Sequence, residues 1–231
     1  MRLLIDVGNT ALKAACYDGK NIATCDLSTL PWQQVTEVVY ASVGKSEQLD
    51  ALLAQAATLN IPCYEAVVSK QLENLYCAYE HYQNLGIDRW LAIIAAYMLW
   101  PKQDCIIVDT GTATTIDVLD TGGQHLGGWI IPGLDLMTRS LTQNTQRVFD
   151  DETTQFSNEL GINTPNGLKN GALVATIGAV EQAKLHLSNK NPQLIFAGGY
   201  GKLLQAQFPT AVFAPQLVMQ GLNYWRELCE K

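Results

Sequence analysis

Two short apolar runs, RLLI at residues 2–5 and CIIV at 105–108, are each followed at once by an aspartate, a small residue and a glycine. Branched apolar residues closed by such a triplet read as buried strands ending in tight turns. The copies stay alike beyond the turn. DVGNTALKAACYDGKNIA from Asp6 and DTGTATTIDVLDTGGQHLGG from Asp109 each predict a second strand and a hairpin, with Asp-Gly or Gly-Gly signals in YDGK (17–20) and LDTGGQ (119–124). The pattern recurs after 103 residues, close to half of the 231. A repeat of that period predicts two related α/β halves, residues 1–104 and 105–231, each opening on the same turn.

Between the copies, Ser46 is a candidate cap for a helix to Leu59, with apolar residues at Leu49, Leu52, Leu53 and Ala56. RWLAIIAAYMLW at 89–100 is apolar on nearly all sides and predicts a helix buried between halves or between subunits. In the second half, 134–147, 168–187 and 216–229 are helix candidates, and IFAGG at 195–199 reads as a strand entering a glycine turn.

Composition narrows the function classes. With 48% hydrophobic and 16% charged residues the chain has the apolar mass of a folded protein. Its formal charge of −7 is opposite to the excess a bulk nucleic-acid binder carries, so no nucleic-acid partner is expected. No window reaches the roughly 18 to 20 uncharged apolar residues of a membrane span, and MRLLIDVGNT meets an acidic residue too early for a signal peptide. Six cysteines without a CxxC pair, and His81, His125 and His186 far apart, lack zinc-ligand spacing. They read as reduced residues of a soluble cytoplasmic protein with no membrane partner.

A glycine turn lets backbone N–H groups approach an anion with no Cβ in the way, and nearby hydroxyl or amide side chains add donors. One Asp-x-Gly triplet is an ordinary turn. Two in matching contexts predict a phosphate clamp, with Gly8, Asn9 and Thr10 on one side and Gly111 and Thr112 on the other. Lys13 can reach a terminal phosphate as a point charge; the alternative is a solvated lysine. The P-loop pattern GxxxxGK[ST] and the nucleophile elbow GxSxG are absent, and Gly199-Tyr200-Gly201 lacks the third glycine of a dinucleotide fingerprint.

DVGNTxxK at 6–13, GIDR at 86–89, DTGTATTID at 109–117, GGWIIPG at 127–133, NTPNGLKNG at 163–171 and AGG at 197–199 resemble, in order, the motifs of type III pantothenate kinases. That resemblance implies two ribonuclease H-like (actin-like ATPase) lobes related by duplication, with a nucleotide cleft between them. It also implies ATP-dependent phosphorylation of the primary hydroxyl of pantothenate, the first step of coenzyme A synthesis.

Carried over by position, Asp6, Val7, Gly8, Asn9, Thr10, Ala11, Leu12 and Lys13 form the first phosphate loop. Thr112 is the second ATP contact, and Gly198 and Gly199 belong to the adenosine motif. The family pattern makes Asp109 the ligand of a monovalent cation, K+ or NH4+, with Mg2+ accompanying the nucleotide. It makes Asp88 the general base, lines the pantothenate site with Gly86, Ile87, Asp88 and Arg89, and adds Tyr79 and Thr164. Tyr76 and Tyr82 flank Tyr79, so that assignment can slip by one helical turn. The family also implies a homodimer, with the apolar 89–100 helix at the interface.

Phosphoryl transfer needs positioning and charge neutralisation more than covalent help. An ordinary carboxylate at Asp88 suffices, because the alcohol yields its proton only as the bond to phosphorus forms. Arg89 offers a planar fork of donors to a substrate carboxylate. The rival reading of the pair is a local ion pair at a helix N-terminus. Two other functions remain open: a kinase of the same superfamily acting on another small alcohol such as an amino sugar, and a non-catalytic nucleotide-binding regulator.

Overall fold

The computed structural model describes residues 1–8, 11–189 and 191–230. The chain divides into two compact units. One holds Met1–Pro101, Gly122–His125 and the chain from Gln216 onward; the other holds Lys102–Thr121 and Leu126–Pro215.

The first unit is built on strands β1 (Arg2–Val7), β2 (Leu12–Tyr17), β3 (Ile22–Thr24), β4 (Glu37–Ser42) and β5 (Cys63–Glu65), in the order β3-β2-β1-β4-β5. β2 runs antiparallel to both β1 and β3, while β4 is parallel to β1 and β5. Period-two alternation sends Leu3, Ile5 and Val7 into an apolar cluster with Leu49 and Ala56 of helix α1 (Glu47–Thr58). Leu4 and Asp6 therefore lie on the opposite face. Ser46 caps α1 as its sequence predicts, accepting from the Leu49 N–H at 3.3 Å. A small ladder of β6 (Gln71–Leu72) and β7 (Leu75–Tyr76) precedes helix α2 (Ile87–Leu99).

The second unit contains β8 (Cys105–Thr110), β9 (Ala113–Leu119), most of β10 (His125–Pro132), helices α3 (Leu134–Asn144) and α4 (Thr164–Lys184), β11 (Gln193–Gly198), the short helix α5 (Gly201–Gln205) and β12 (Val212–Phe213). Its sheet has the order β10-β9-β8-β11-β12. β9 is antiparallel to β8, and β11 is parallel to both β8 and β12. This is the arrangement of the first sheet repeated, which is what the 103-residue sequence period encodes. Ile106, Val108, Ile116 and Val118 pack on Leu134, Leu173 and Val180, leaving Asp109, Thr115 and Asp117 on the other face.

Helix α6 (Leu217–Cys229) belongs to the first unit, although the sequence division at residue 104 assigns it to the second half. It supplies what α2 lacks. Trp90, Leu91, Ile93, Ile94, Ala95 and Ala96 are fully buried, and a Cβ at Gly221 of α6 would overlap the Leu91 carbonyl. The two helices touch backbone to backbone. Much of the apolar surface of α2 is thus covered by the chain's own last helix, while Tyr97, Met98 and Leu99 at its end are half-buried. Among the described residues, no helix is long and apolar enough to cross a membrane.

Candidate active site

The residues singled out by sequence fall mainly into three clusters. In the turn after β1, the Gly8 N–H donates to the Ala11 carbonyl at 3.1 Å, and Asp6 pairs in register with Lys13. Directly opposed residues of an antiparallel pair share a face, so the buried Asp6 and the exposed Lys13 stand side by side. Val7 and Leu12 point into the core, so any ligand contact from them comes from their backbone. Ala11 is exposed at the turn. Asn9 and Thr10 lie outside the described residues. Among the described residues, a Cβ on Gly8 would meet the Ala11 carbonyl at 3.6 Å, an ordinary contact. A glycine leaves the backbone here open to close approach by an anion.

The second turn is one residue shorter. Three residues, 111–113, separate the paired Thr110 and Thr114, against four, 8–11, between Val7 and Leu12. Gly111 N–H closes it on the Ala113 carbonyl at 2.8 Å. The Thr112 carbonyl accepts from Gly133 N–H at 2.9 Å, and a Cβ at Gly133 would overlap the Gly111 carbonyl. Gly198, with φ of +81°, leaves room for the Thr110 carbonyl and an oxygen of the Asp109 carboxylate, both of which a Cβ would strike. Gly199 follows it, and the Tyr200 N–H reaches Thr110 O at 3.4 Å. The structure thus gathers Asp109, Thr112, Gly198 and Gly199, and adds Gly133, Asp135 and Tyr200. The Tyr200 hydroxyl donates to Asp135 Oδ1 at 2.6 Å; burial and that carboxylate push its pKa up to about 12, so it remains a donor.

The third cluster is the start of α2. Gly86 is the N-cap residue, and the Asp88 carboxylate in the first turn accepts the Arg89 backbone N–H at 2.8 Å, an anion at the positive end of the helix. Arg89 is buried; its Nη1 donates to the Tyr79 hydroxyl at 2.9 Å and its guanidinium carbon lies 5.6 Å from the Tyr79 ring centre. The Tyr79 ring also stacks on the buried His125, with centroids 6.4 Å apart. Lys70 Nζ donates to the carbonyls of Cys77 and Tyr79, at 3.0 and 2.9 Å. Of the three neighbouring tyrosines, Tyr79 is thus the one set against Arg89, while the Tyr76 hydroxyl accepts from Gln71 at 3.1 Å. A cavity of about 500 Å³, lined by Ser42, Val43, Glu65, Asn84, Gly86 and Ile87 among others, opens beside GIDR. It sits past the carboxyl ends of the parallel strands β4 and β5, where open α/β sheets hold ligands, and its volume suits a small molecule.

Thr164 is the first residue of α4, in the second unit. The Asn163 side chain caps that helix through the Asn166 N–H at 2.9 Å. Lys169 and Asn170, buried on α4, tie down the preceding loop: Lys169 Nζ reaches Asp150 at 3.0 Å and the Thr154 carbonyl at 2.8 Å, and Asn170 bonds Ser157 N–H and the Glu159 carbonyl, each at 2.9 Å.

Comparison with known proteins decides the family. The family described as type III pantothenate kinase matches residues 26–185. A type III pantothenate kinase of Pseudoalteromonas translucida (strain TAC 125) is 67% identical over 230 residues, covering 100% of this chain and 98% of that one. The chain belongs to the type III pantothenate kinase family.

A solved structure described as a Baf family transcriptional activator from Campylobacter jejuni superposes with a TM-score of 0.65 at 26% identity, covering 99% of this chain and 98% of that one. The ROK hexokinase of Thermus thermophilus, at 10% identity, shares the fold with a TM-score of 0.51 and 99% coverage of both chains. The two repeated sheets of this family member are therefore those of the sugar-kinase and actin-like ATPase fold. Sequence reasoning missed the partners of its motifs. Asp135 is visible only as an acid after a Pro-Gly turn, and Tyr200 only as the residue after AGG; their pairing joins positions 65 residues apart.

Proposed function

We propose that this chain transfers the γ-phosphoryl group of ATP to the primary hydroxyl of pantothenate, giving 4′-phosphopantothenate in the first step of coenzyme A synthesis. The observation that carries the reading is the start of α2, in a chain of this family: Gly86 and Ile87 line a cavity of about 500 Å³, and the next two residues are a half-buried Asp88 and an Arg89 braced by Tyr79. Asp88 accepts the hydroxyl proton as the oxygen attacks phosphorus. Arg89 and Tyr79 hold the pantothenate carboxylate, Gly86 and Ile87 line the site, and Thr164 adds a hydroxyl.

The turn from Asp6 to Lys13 and Thr112 bind phosphate oxygens, and Gly198 and Gly199 receive the adenosine. The oxygen donors at the second turn suit a hard cation. Among the described residues no three Asp, Glu, His or Cys side chains cluster as metal ligands, so the carboxylates here would share Mg2+ with phosphates and water, its usual coordination. Asp109 would hold the monovalent cation, K+ or NH4+. Bound cations supply charge neutralisation to the transferring group.

The protein acts in the cytoplasm as a homodimer. Leu160 and Ile162, each 94% exposed just ahead of Thr164, are the apolar surface that supports a second copy. The sedimentation mass should be twice 25.3 kDa.

The test is ADP release with ATP, Mg2+ and K+ over a panel of acceptors. Pantothenate-dependent release supports the reading. Release with an amino sugar alone selects a different acceptor, and nucleotide binding without release on any acceptor selects a regulator.

A further inference from the structure

Around the second turn the chain closes a ring of contacts that none of the family motifs explains. Thr110 ends β8, and its carbonyl accepts from Tyr200 N–H at 3.4 Å. The Thr112 carbonyl accepts from Gly133 N–H at 2.9 Å. Two residues beyond Gly133, in the first turn of α3, Asp135 takes the Tyr200 hydroxyl on Oδ1 at 2.6 Å. The ring runs from Thr110 through Gly111, Thr112, Gly133 and Asp135 to Tyr200 and back to Thr110. The link between Asp135 and Tyr200 is made by side chains, at 2.6 Å.

We propose that Asp135 and Tyr200 are positioning residues for nucleotide binding, a hydrogen-bonded strut that fixes the turn bearing Thr112 relative to the glycine turn at 198–199. The inference rests on the proposed role of those two turns and names the pair that holds them in register.

Three features favour a strut over ordinary packing. First, the two turns come together at glycines, Gly133 against Gly111 and Thr112, and Gly198 against the Thr110 carbonyl and the Asp109 carboxylate, with a long hydrogen bond of 3.4 Å from Thr110 Oγ1 to the Ala197 carbonyl. Such contacts set how close the chains come, and the short Asp135–Tyr200 bond adds a directional link between them. Second, the Tyr200 ring is separately fixed by an edge contact with Phe156, centroids 5.4 Å apart, so its hydroxyl is aimed before the bond forms. Third, Asp135 sits in the first turn of α3, where the helix N-terminus favours an acidic side chain. A nucleotide whose phosphates and adenosine bind these two turns gains affinity when their separation is set beforehand.

The experiment uses the full chain and β,γ-imido-ATP with Mg2+, titrated calorimetrically, alongside steady-state kinetics. Tyr200→Phe keeps the ring on Phe156 and removes only the hydroxyl. It should weaken analogue binding roughly tenfold, the worth of one hydrogen bond, with the loss appearing in KM for ATP and recovered at saturating ATP. KM for pantothenate should hold. Asp135→Ala should match Tyr200→Phe. Asp135→Asn, which still offers an acceptor oxygen, should restore most of the affinity. Unchanged analogue binding in Tyr200→Phe, or a uniform loss of kcat with a lowered Tm, overturns the proposal. Asp135→Asn as weak as Asp135→Ala also overturns it, since the carboxylate charge would then matter and not the strut. A wild-type chain that does not bind the analogue removes the nucleotide reading and this inference together; tight wild-type binding with unaltered variants removes this inference alone.

Discussion

Arg89 donates from Nη1 to the Tyr79 hydroxyl at 2.9 Å, with its guanidinium carbon 5.6 Å from the same ring's centre. One tyrosine thus holds a buried arginine both by hydrogen bond and by cation–π contact. Tyr79 is held in turn by His125 and by Lys70 on its own carbonyl. If Arg89 holds the pantothenate carboxylate as proposed, Tyr79 fixes the guanidinium that does so. Tyr79→Phe keeps the ring and loses the oxygen, so KM for pantothenate should rise roughly tenfold, the worth of one hydrogen bond to a charged group. Steady-state kinetics with pantothenate varied at saturating ATP checks this, and an unchanged KM removes Tyr79 from the substrate site.

Asp109 offers its carboxylate on a sheet face it shares with Asp117, beside the Thr110 carbonyl that Gly198 admits. If it holds the monovalent cation, turnover should be faster in KCl than in NaCl of equal ionic strength. Asp109→Asn should lower turnover and erase that difference. Equal wild-type rates in the two salts contradict the cation role.

The last helix is fastened to the first sheet by charge. Glu37 takes Arg2 Nε at 2.8 Å and Arg226 Nε at 2.9 Å, and the Arg226 guanidinium lies 3.7 Å from the Tyr64 ring centre. Burial by itself would raise the Glu37 pKa, but hydrogen bonds from Arg2 and then Arg226 outweigh it and hold the carboxyl below its usual value. A depressed folded-state pKa gives stability that is present above the unfolded value, near 4, and is lost as pH falls through the lower folded value. Urea midpoints should therefore decline as pH drops below about 4.5. Glu37→Gln should cost about 1 to 3 kcal/mol at neutral pH and flatten part of that acid decline. A parallel decline in the variant contradicts the assignment.

Gly221 lies against the Leu91 carbonyl so closely that any Cβ overlaps it. Gly221→Ala should destabilise the fold by about 1 to 3 kcal/mol through overpacking, although alanine is the better helix former. An unchanged urea midpoint would mean that α2 and α6 separate freely.

That contact also marks the limit of what the sequence discloses. The repeat is readable because both strands end on the same local chemistry, Asp6 to Gly8 and Asp109 to Gly111. Helix α1 is readable from its Ser46 cap and 3.6-residue spacing. α2 is equally plain as an all-apolar helix, yet its cover is α6, more than a hundred residues later, and no local pattern announces that pairing. Helix α4 begins at Thr164, earlier than the predicted 168, because Asn163 caps it and Pro165 occupies its first turn. α3 stops at Asn144, short of the predicted 147. Strand β4 went unread although Val38 and Val39 are β-branched; its identity rests on pairing with β1. At the site, the motifs single out Tyr79, Asp88 and Arg89 by position alone, and the contact of the Tyr79 hydroxyl with Arg89, ten residues on, is visible only in the fold.

The most direct measurement is product analysis by mass spectrometry after incubating pantothenate with ATP, Mg2+ and K+, for the wild type and for Asp88→Asn. The asparagine keeps an acceptor for the Arg89 N–H, so the helix start survives, but it cannot take a proton. The wild type should convert pantothenate to its phosphomonoester, and the variant should be slower by roughly a hundred- to ten-thousand-fold at an unchanged Tm. Absence of phosphopantothenate from the wild type, or undiminished turnover in Asp88→Asn, would contradict the account.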